Sequence, residues 1–251
     1  MMNKWFIILA IMMMVSSIIP AFADDVMKFG VSEAWKPFDW QENGQYKGIL
    51  IDIVNEAIQK RMGISVSYSI FPWERAQHLV REGVLDALIS NGPLRKEWSE
   101  HSNEVLMELE WRIYINSSNP KLEQIKKAKT LEELRSFHFV DYIGNGWAKA
   151  NLVDKNFDIH LVSEPSKVFE LIAKGRGDIN IIPMIIGKYY LKELGLKNQI
   201  TELPSIVPAI PFHLVIGKKS PFTKILPKFD QVVKQMKEDG ALQAIIDNYT
   251  K

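Results

Sequence analysis

Phe71-Pro72-Trp73-Glu74-Arg75-Ala76, running on through Asp86-Ala87-Leu88-Ile89 to Arg95, is the stretch whose reading decides the fold. Just ahead of it Ile64, Val66, Tyr68 and Ile70 alternate as a strand. Trp73 to Glu82 reads as a helix with Ala76, Leu79 and Val80 inward, ended by Gly83. Leu85 to Ile89 then forms a short buried strand. Strand, helix, strand in this order implies parallel pairing with a crossover helix. Two arginines, Arg75 and Arg95, lie near aromatic residues. That suggests a pocket for a small anionic or zwitterionic ligand. The residues alone equally allow Trp73 to be core and both arginines to be solvated.

Working outward, Val26 to Val31 reads as a strand, Trp35 to Trp40 as a ring-rich loop, and Asn43-Gly44 as a turn. From Ile49 to Ile58 the apolar residues recur at helical spacing, and Gly63 ends that helix. On the other side, Val105 to Ile115 is a longer extended run, followed by a break at Asn116 to Pro120 and a basic surface segment, Lys121 to Lys129. A second α/β set begins at Thr130-Leu131-Glu132-Glu133, a capping-box pattern for a helix start. Strands are expected over Phe137–Ile143, Ile159–Val162 and Asp178–Ile182, and helices from Gly144, from Ser163 and over Ile185–Leu194. Pro204 to Pro211 is proline-rich, Phe212 to Ile216 a strand, and two helices, Phe222–Lys237 and Ala241–Tyr249, close the chain. Two similar α/β sets joined by extended segments near Glu110–Ile115 and Pro211–Ile216 imply two lobes with a cleft between them. Ligands favour such clefts.

The N-terminus carries one lysine, a charge-free run from Trp5 to Ala23 and an Ala21-Phe22-Ala23 end before Asp24-Asp25. This is the pattern of a cleavable secretory signal. A membrane anchor is the rival reading, disfavoured by Ser16-Ser17, Pro20 and the small-residue end. The formal charge of +1 gives no support for nucleic acid or an anionic membrane as partner. With no cysteine, thiol catalysis, disulfides and cysteine metal sites are excluded. The chain must be held by its core, which 47% hydrophobic residues can supply.

The five histidines show no metal-ligand spacing, and neither H-E-x-x-H nor G-x-S-x-G occurs. No metal or cofactor is expected. Gly144-Asn145-Gly146 lacks the third glycine of a dinucleotide fingerprint. It reads either as a helix start whose free N–H groups can hold a carboxylate or as an ordinary strand-to-helix turn. Arg176-Gly177-Asp178 directly precedes a buried strand and reads as a turn. Arg95 follows the turn Asn91-Gly92-Pro93 at the carboxyl end of a parallel strand, where ligands of open α/β sheets sit. An arginine fork can hold a carboxylate by two hydrogen bonds. The rings of Trp35, Phe38, Trp40, Trp73 and Trp147 can wall such a site or serve as core, and two or three are expected to touch a ligand.

In these residues the chain resembles family 3 of the bacterial periplasmic solute-binding proteins, the polar amino-acid-binding type of ABC importers. Pro37-Phe38, Gly44, Tyr46, Gly48 and Asp52 look like the family's opening pattern, and Pro72-Trp73-Glu74-Arg75-Ala76 resembles its "P-W-x-R-A" subgroup. Gly83 through Asp86-Ala87 matches its "G-x-x-D-A" strand entry. Arg95, ahead of Ser102, is similar to the arginine that grips the ligand's α-carboxylate. Gly146-Trp147 falls where a helix start adds backbone donors. Asp178, Gly187 and Glu238-Asp239-Gly240 to Asn248-Tyr249 fit the second lobe and the terminal helix. Three departures stand out. Pro183 occupies the position where amino-acid binders commonly carry the acid that pairs with the α-ammonium, Pro93-Leu94 replaces the usual Thr or Ser before the arginine, and Asn103-Glu104 follows Ser102 in place of proline.

The resemblance implies an α/β, two-lobed periplasmic-binding-protein fold of type II, each lobe a mostly parallel sheet flanked by helices, with two hinge crossings. The expected division is a signal over residues 1–23, lobe 1 over 24–111, lobe 2 over 112–212 and a return to lobe 1 over 213–251. The implied function is capture of a small polar carboxylate-bearing, amino-acid-like solute in the periplasm of a Gram-negative bacterium. The expected partners are that ligand and an inner-membrane ABC permease, with the protein a monomer that binds no nucleic acid. The residues expected to meet the ligand are Arg95, Trp73, Arg75, Trp35, Phe38, Asn91, Gly146 and Trp147. A cyclohexadienyl-type dehydratase on the same fold, with Glu74, Asp39, Asp141 or Glu104 as acid, is the enzymatic alternative. A sensing module for a membrane receptor is the other.

Overall fold

The computed structural model describes residues 26–32 and 35–251; the expected signal over 1–23 lies outside the described residues. The first lobe runs through strand β1 (Met27–Ser32), a hairpin of β2 (Trp40–Glu42) and β3 (Gln45–Lys47), helix α1 (Ile49–Val54), β4 (Val66–Phe71), α2 (Trp73–Glu82) and β5 (Ala87–Ser90). The expected helix from Ile49 changes winding half-way, because Asn55–Arg61 continues α1 as a π-helix. Helix α2 falls where the periodicity predicts, with Ala76 and Val80 buried. It stops because Gly83 takes a left-handed φ of 77° as C-cap, which glycine adopts without steric cost. After β5 come a single 3-10 turn, Gly92–Arg95, and the short strands β6 (Ser99–His101) and β7 (Met107–Leu109).

The second lobe contains β8 (Trp111–Asn116), α3 (Leu122–Lys127), β9 (Phe139–Tyr142), α4 (Gly146–Ala148, continued as a π-helix over Lys149–Val153), β10 (Ile159–Val162), α5 (Pro165–Ala173), β11 (Asn180–Pro183), α6 (Met184–Glu193) and β12 (Ile200–Pro204). The chain then returns through β13 (Ile210–Gly217) and ends in α7 (Leu226–Glu238) and α8 (Ala241–Thr250).

In lobe 1 the sheet order is β4-β1-β5-β13-β6, with β7 also on β13. Strands β4, β1 and β5 are parallel, and β13 is antiparallel to β5. All four residues of β5 are buried, as expected for a parallel strand covered on both faces. In lobe 2, β9 and β10 are parallel, and β8 runs antiparallel between β11 and β12. A parallel bridge from Phe139 to Ile179 joins the two groups. The expected α/β, two-lobed architecture is the one found; its sheets are mixed, with β4-β1-β5 and β9-β10 parallel and the pairings of β8 and β13 antiparallel.

Three local expectations are corrected. Thr130 does accept a hydrogen bond from the Glu133 N–H at 3.3 Å, but the Glu133 carboxylate turns to the Lys129 N–H. The chain makes one 3-10 turn, Glu132–Leu134, before Phe137 enters the core. The basic segment contains a short helix, α3, pinned by the buried Ile125. Strand β12 went unexpected because Thr201, Glu202 and Pro204 mask its period, yet it pairs with β8 along its whole length.

Packing is closest where α6 crosses β8. A side chain at Gly187 would meet the Tyr114 ring at 2.0 Å, so only glycine lets the helix lie there. The terminal helix α8 packs on α1 and α7 and also on α6 of the other lobe. The Tyr249 hydroxyl donates to Asp52 at 2.7 Å, and the Lys192 ammonium donates to the Asn248 carbonyl at 3.4 Å. Among the described residues no helix is long and apolar enough to cross a membrane.

Candidate functional site

Register locates the edge where the two lobes meet. Ser32 pairs with Phe71 and Phe29 with Ala87, so β4, β1 and β5 end level with one another. Strand β13 enters the sheet at that same edge, with His213 opposite Ser90. In lobe 2, Val162 pairs with Tyr142, and Trp111, the first residue of β8, pairs with Pro183, the last of β11. The crossings therefore leave one carboxyl-terminal edge and enter at the other. Both sets of strand ends face the junction, the position where open α/β sheets bind ligands.

On the lobe 1 edge, Asn91 and Arg95 bracket the 3-10 turn after β5. Asn91 is the N-cap, at φ −66° and ψ 97°, but its side chain makes no capping bond. The second residue of the turn is Pro93, which has no N–H to donate. The Asn91 Oδ1 is left buried without a partner. A side chain at Gly92 would meet the His101 ring at 2.4 Å, so the turn is held tight against β6. Arg95 is anchored through its carbonyl, which accepts from the Ser99 hydroxyl at 2.8 Å and the Trp98 N–H at 3.1 Å. Its guanidinium is half-buried, Nε is buried without a partner, and no acid among the described residues pairs with it. Burial pulls its pKa down, the mark of a cation short of a counter-charge.

The aromatic candidates divide. Trp73 opens α2 and is 38% exposed at the strand-end edge. Arg75, one turn in, is exposed, with its guanidinium 5.9 Å from the Phe71 ring centre. Trp35 is half-buried and rests on Phe38 at 4.3 Å and Phe212 at 6.0 Å. Phe38 is a correction: at 0% exposure it is core, and it supports Trp35 from beneath. Trp40 is also buried, packed edge-on against Tyr249 of α8 at 6.1 Å.

The lobe 2 edge is built differently. Asn145 caps α4 and its Oδ1 accepts from the N–H groups of Trp147 and Ala148 at 3.1 and 3.3 Å. Two of the backbone donors that the Gly146-Trp147 helix start was expected to offer a ligand are thus already used, which corrects that expectation for both N–H groups. The Asn145 amide in turn donates to Asp141 Oδ1 at 3.0 Å, and Asn180 donates to Asp141 Oδ2 at 3.2 Å. Asp141 is 1% exposed, and burial lifts its pKa to about 7. The half-buried Trp147 ring lies 4.9 Å from that of Trp111. Trp111 is 5% exposed and its indole N–H is buried with no partner. Trp111 was not among the expected ligand residues; it lies inside the extended run Val105 to Ile115, where nothing local marks it out.

Two recesses lie elsewhere: one of about 530 Å³ between α6 and α8, lined by Met184, Ile200 and Ile246, and one of about 670 Å³ on lobe 1 beside Lys96, His101 and Asp230. Neither contains any of the eight expected ligand residues or any of the buried unpaired polar atoms. Among the described residues no cluster of three or more metal-ligating side chains occurs.

The pattern of bacterial extracellular solute-binding proteins, family 3, matches residues 27–251. The chain belongs to this family. It is similar to the probable amino-acid-binding protein YxeM of Bacillus subtilis, 20% identical over 232 residues, 90% of this chain and 84% of that protein. Among solved structures it is similar to an ancestral cationic amino-acid solute-binding protein, at TM-score 0.70 and 23% identity, covering 90% of this chain and 96% of that one. A histidine kinase sensor domain with similarity to periplasmic binding proteins follows at TM-score 0.65 and 20% identity, with 89% and 95% covered. The arginine-, lysine- and histidine-binding protein ArtJ of Geobacillus stearothermophilus gives 0.63 and 17%, with 90% and 95% covered. At such identities these structures establish that this solute-binding protein shares their two-lobed fold.

Proposed function

We propose that the chain is a periplasmic solute-binding protein that captures a small carboxylate-bearing, amino-acid-like solute between its lobes and delivers it to an ABC-type permease. The observation that carries this is Arg95. A half-buried guanidinium without an acidic partner among the described residues, just after the end of a parallel strand, is a preformed seat for a carboxylate. Trp73 supplies an exposed ring on the same edge, and Trp35, Arg75, Asn91 and Trp147 complete the rim. The lobes, 24–111 with 213–251 and 112–212, close on the solute by bending at the two crossings, so that ligand favours the closed state.

Three of the four acids named for a dehydratase favour binding over catalysis, while the fourth, Glu74, is exposed beside Trp73 and is left to the turnover test. Asp39 and Asp141, lifted by burial to about 6 and about 7, have values suited to acid–base work. Both are sealed, at 5% and 1% exposure, with their oxygens bonded to Ser32 in one case and to Tyr142, Asn145 and Asn180 in the other. Glu104 is paired with Lys237 at 2.7 Å. The test is a thermal-shift screen of amino acids, di- and tricarboxylates and aromatic acids. A carboxylate should raise Tm in the wild type and leave Arg95→Ala unmoved; turnover of a cyclohexadienyl acid would overturn the reading.

A further inference from the structure

Resting on the reading of Arg95 as the carboxylate clamp, we propose that His101 and His213 are positioning residues for it. The two imidazoles share one backbone acceptor and hold the Gly92–Arg95 turn to β13, the second crossing; acidification releases the turn.

The crossing is tied down at Ser102, which is fully buried. Its N–H donates to the Leu214 carbonyl at 2.9 Å, and its hydroxyl oxygen accepts from the Leu214 N–H at 3.2 Å. Its carbonyl oxygen receives both rings, from His101 Nδ1 at 2.9 Å and from His213 Nδ1 at 2.8 Å. A carbonyl oxygen only accepts, so both rings carry a proton on Nδ1 and keep Nε2 as the atom that takes up a proton in acid. The ring centres are 4.9 Å apart. Two imidazolium charges at that distance repel, which opposes the second protonation.

The pair joins three pieces of lobe 1. His101 belongs to β6 and lies opposite Val215, and His213 belongs to β13 and lies opposite Ser90, the last residue before Asn91. The Gly92–Arg95 turn packs on both strands, and at Gly92 it comes so close to the His101 ring that no side chain fits. Where that ring sits therefore decides where the turn, and with it Arg95, is held.

The surrounding charges set the direction of the switch. Burial above all pulls the His213 pKa below its ordinary 6.5, and His101 adds to this, against the Ser102 carbonyl, Glu108 of β7 and Asp230 of α7. Asp230 is already engaged by the Asn103 amide at 3.0 Å and the Glu104 N–H at 2.9 Å. His101 is half-buried and borders the recess lined by Lys96, Glu100, Lys218, Lys224 and Asp230, which gives its ring room to turn outward. Three lysines against two acids leave that recess without the negative charge to offset a second imidazolium. Below pH 6.5 the tied His213 holds less proton than a freed ring, so acid favours the loosened arrangement, in which Gly92 loses its support.

The test uses the full chain without added solute. Nitrogen-15 NMR of the wild type at pH 8 should show both rings protonated at Nδ1 and bare at Nε2. Amide exchange, corrected for the intrinsic rate at each pH, then follows two N–H groups: that of Ser102, and that of Trp98, which closes the turn on the Arg95 carbonyl at 3.1 Å. Both should lose protection between pH 8 and pH 5, about tenfold for each pH unit by which the tied pair holds back proton uptake. In lobe 2 the Val140 N–H, bonded to the Ile179 carbonyl at 3.0 Å, should not follow. His101→Asn combined with His213→Asn keeps an N–H donor on each side but cannot titrate, and should hold its protection at both pH values. His101→Ala should lack the Trp98 protection at both. An Nε2–H tautomer on either ring, wild-type protection that ignores pH, an equal loss at Val140, or a pH response that survives in the double asparagine variant overturns the proposal. The clamp is judged separately: carboxylate binding by Arg95→Ala as tight as wild type overturns that reading and leaves the exchange result untouched.

Discussion

Asn91 and Asn145 occupy matching places in the two lobes. Each follows a buried parallel strand, each caps the turn that comes next, and their backbones nearly coincide, at φ −66°, ψ 97° and φ −71°, ψ 99°. Their side chains meet different ends. Asn145 accepts from two backbone N–H groups, while Asn91 accepts from none. One of the two donors is missing by sequence, because Trp147 at the second position of the lobe 2 turn has an N–H and Pro93 in lobe 1 does not; the counterpart of the other, Leu94, has an N–H but gives Asn91 no capping bond. Lobe 2 spends its polar groups on its own stability. Lobe 1 leaves Asn91 Oδ1 and Arg95 Nε buried and unmatched.

The sharpest way to break this contrast is Arg95→Ala. Losing a charge-assisted clamp should weaken binding of any carboxylate by about 100-fold or more. The Tm of the free protein should hold, because the guanidinium has no internal partner; a collapse of that Tm would make Arg95 structural and erase the distinction.

On the closed side, Asp141 should make lobe 2 pH-sensitive. Its folded pKa is about 7 against an ordinary 3.8, so between these values the folded state holds a proton that the unfolded state has released. Stability therefore falls as pH rises from about 4 to about 7, by up to roughly 1.4 kcal/mol per pH unit, and changes no further from this group above that. Asp141→Asn, which carries no proton to lose, should gain on the wild type as pH rises from 5 to 7 in parallel melting curves. A constant difference in Tm would mean that the carboxyl is ionised throughout.

The paired substitution of the two asparagines tests the contrast itself. Asn145→Ala should cost about 1 kcal/mol of stability, the usual loss for a cap. Asn91→Ala should change stability by less than about half of that and weaken binding several-fold. Equal destabilisation by urea titration would show that the two caps do the same work.

The smallest effect is expected from Pro93→Ala. It gives the lobe 1 turn the missing N–H, so Asn91 gains an internal donor and a carboxylate probe should bind a few-fold more weakly, while the free protein melts no lower. An unchanged affinity by calorimetry would separate the proline from the state of Asn91.

Much of this was legible in the chain. Alternation in Ile64 to Ile70 and the helical spacing from Trp73 to Glu82 placed β4 and α2 within a residue or two, because both periods are local. The Asn-Gly-Pro and Asn-Gly-Trp turns were legible too, and with them the positions of Arg95 and Trp147. Strand β12 was not, since its pairing with β8 is contributed by residues far away in sequence.

The order of elements, the two α/β sets and the turns at the strand ends follow from the sequence by itself, while Arg95 was singled out by the resemblance to the family. They depend on side-chain periodicity and backbone chemistry within a few residues. Tertiary structure alone decided that Phe38 is buried beneath Trp35, that Asn145 and Asp141 are locked together, and that the Trp111 indole is enclosed and unmatched. Whether a polar atom finds a partner depends on what distant segments bring beside it, and no local pattern encodes that.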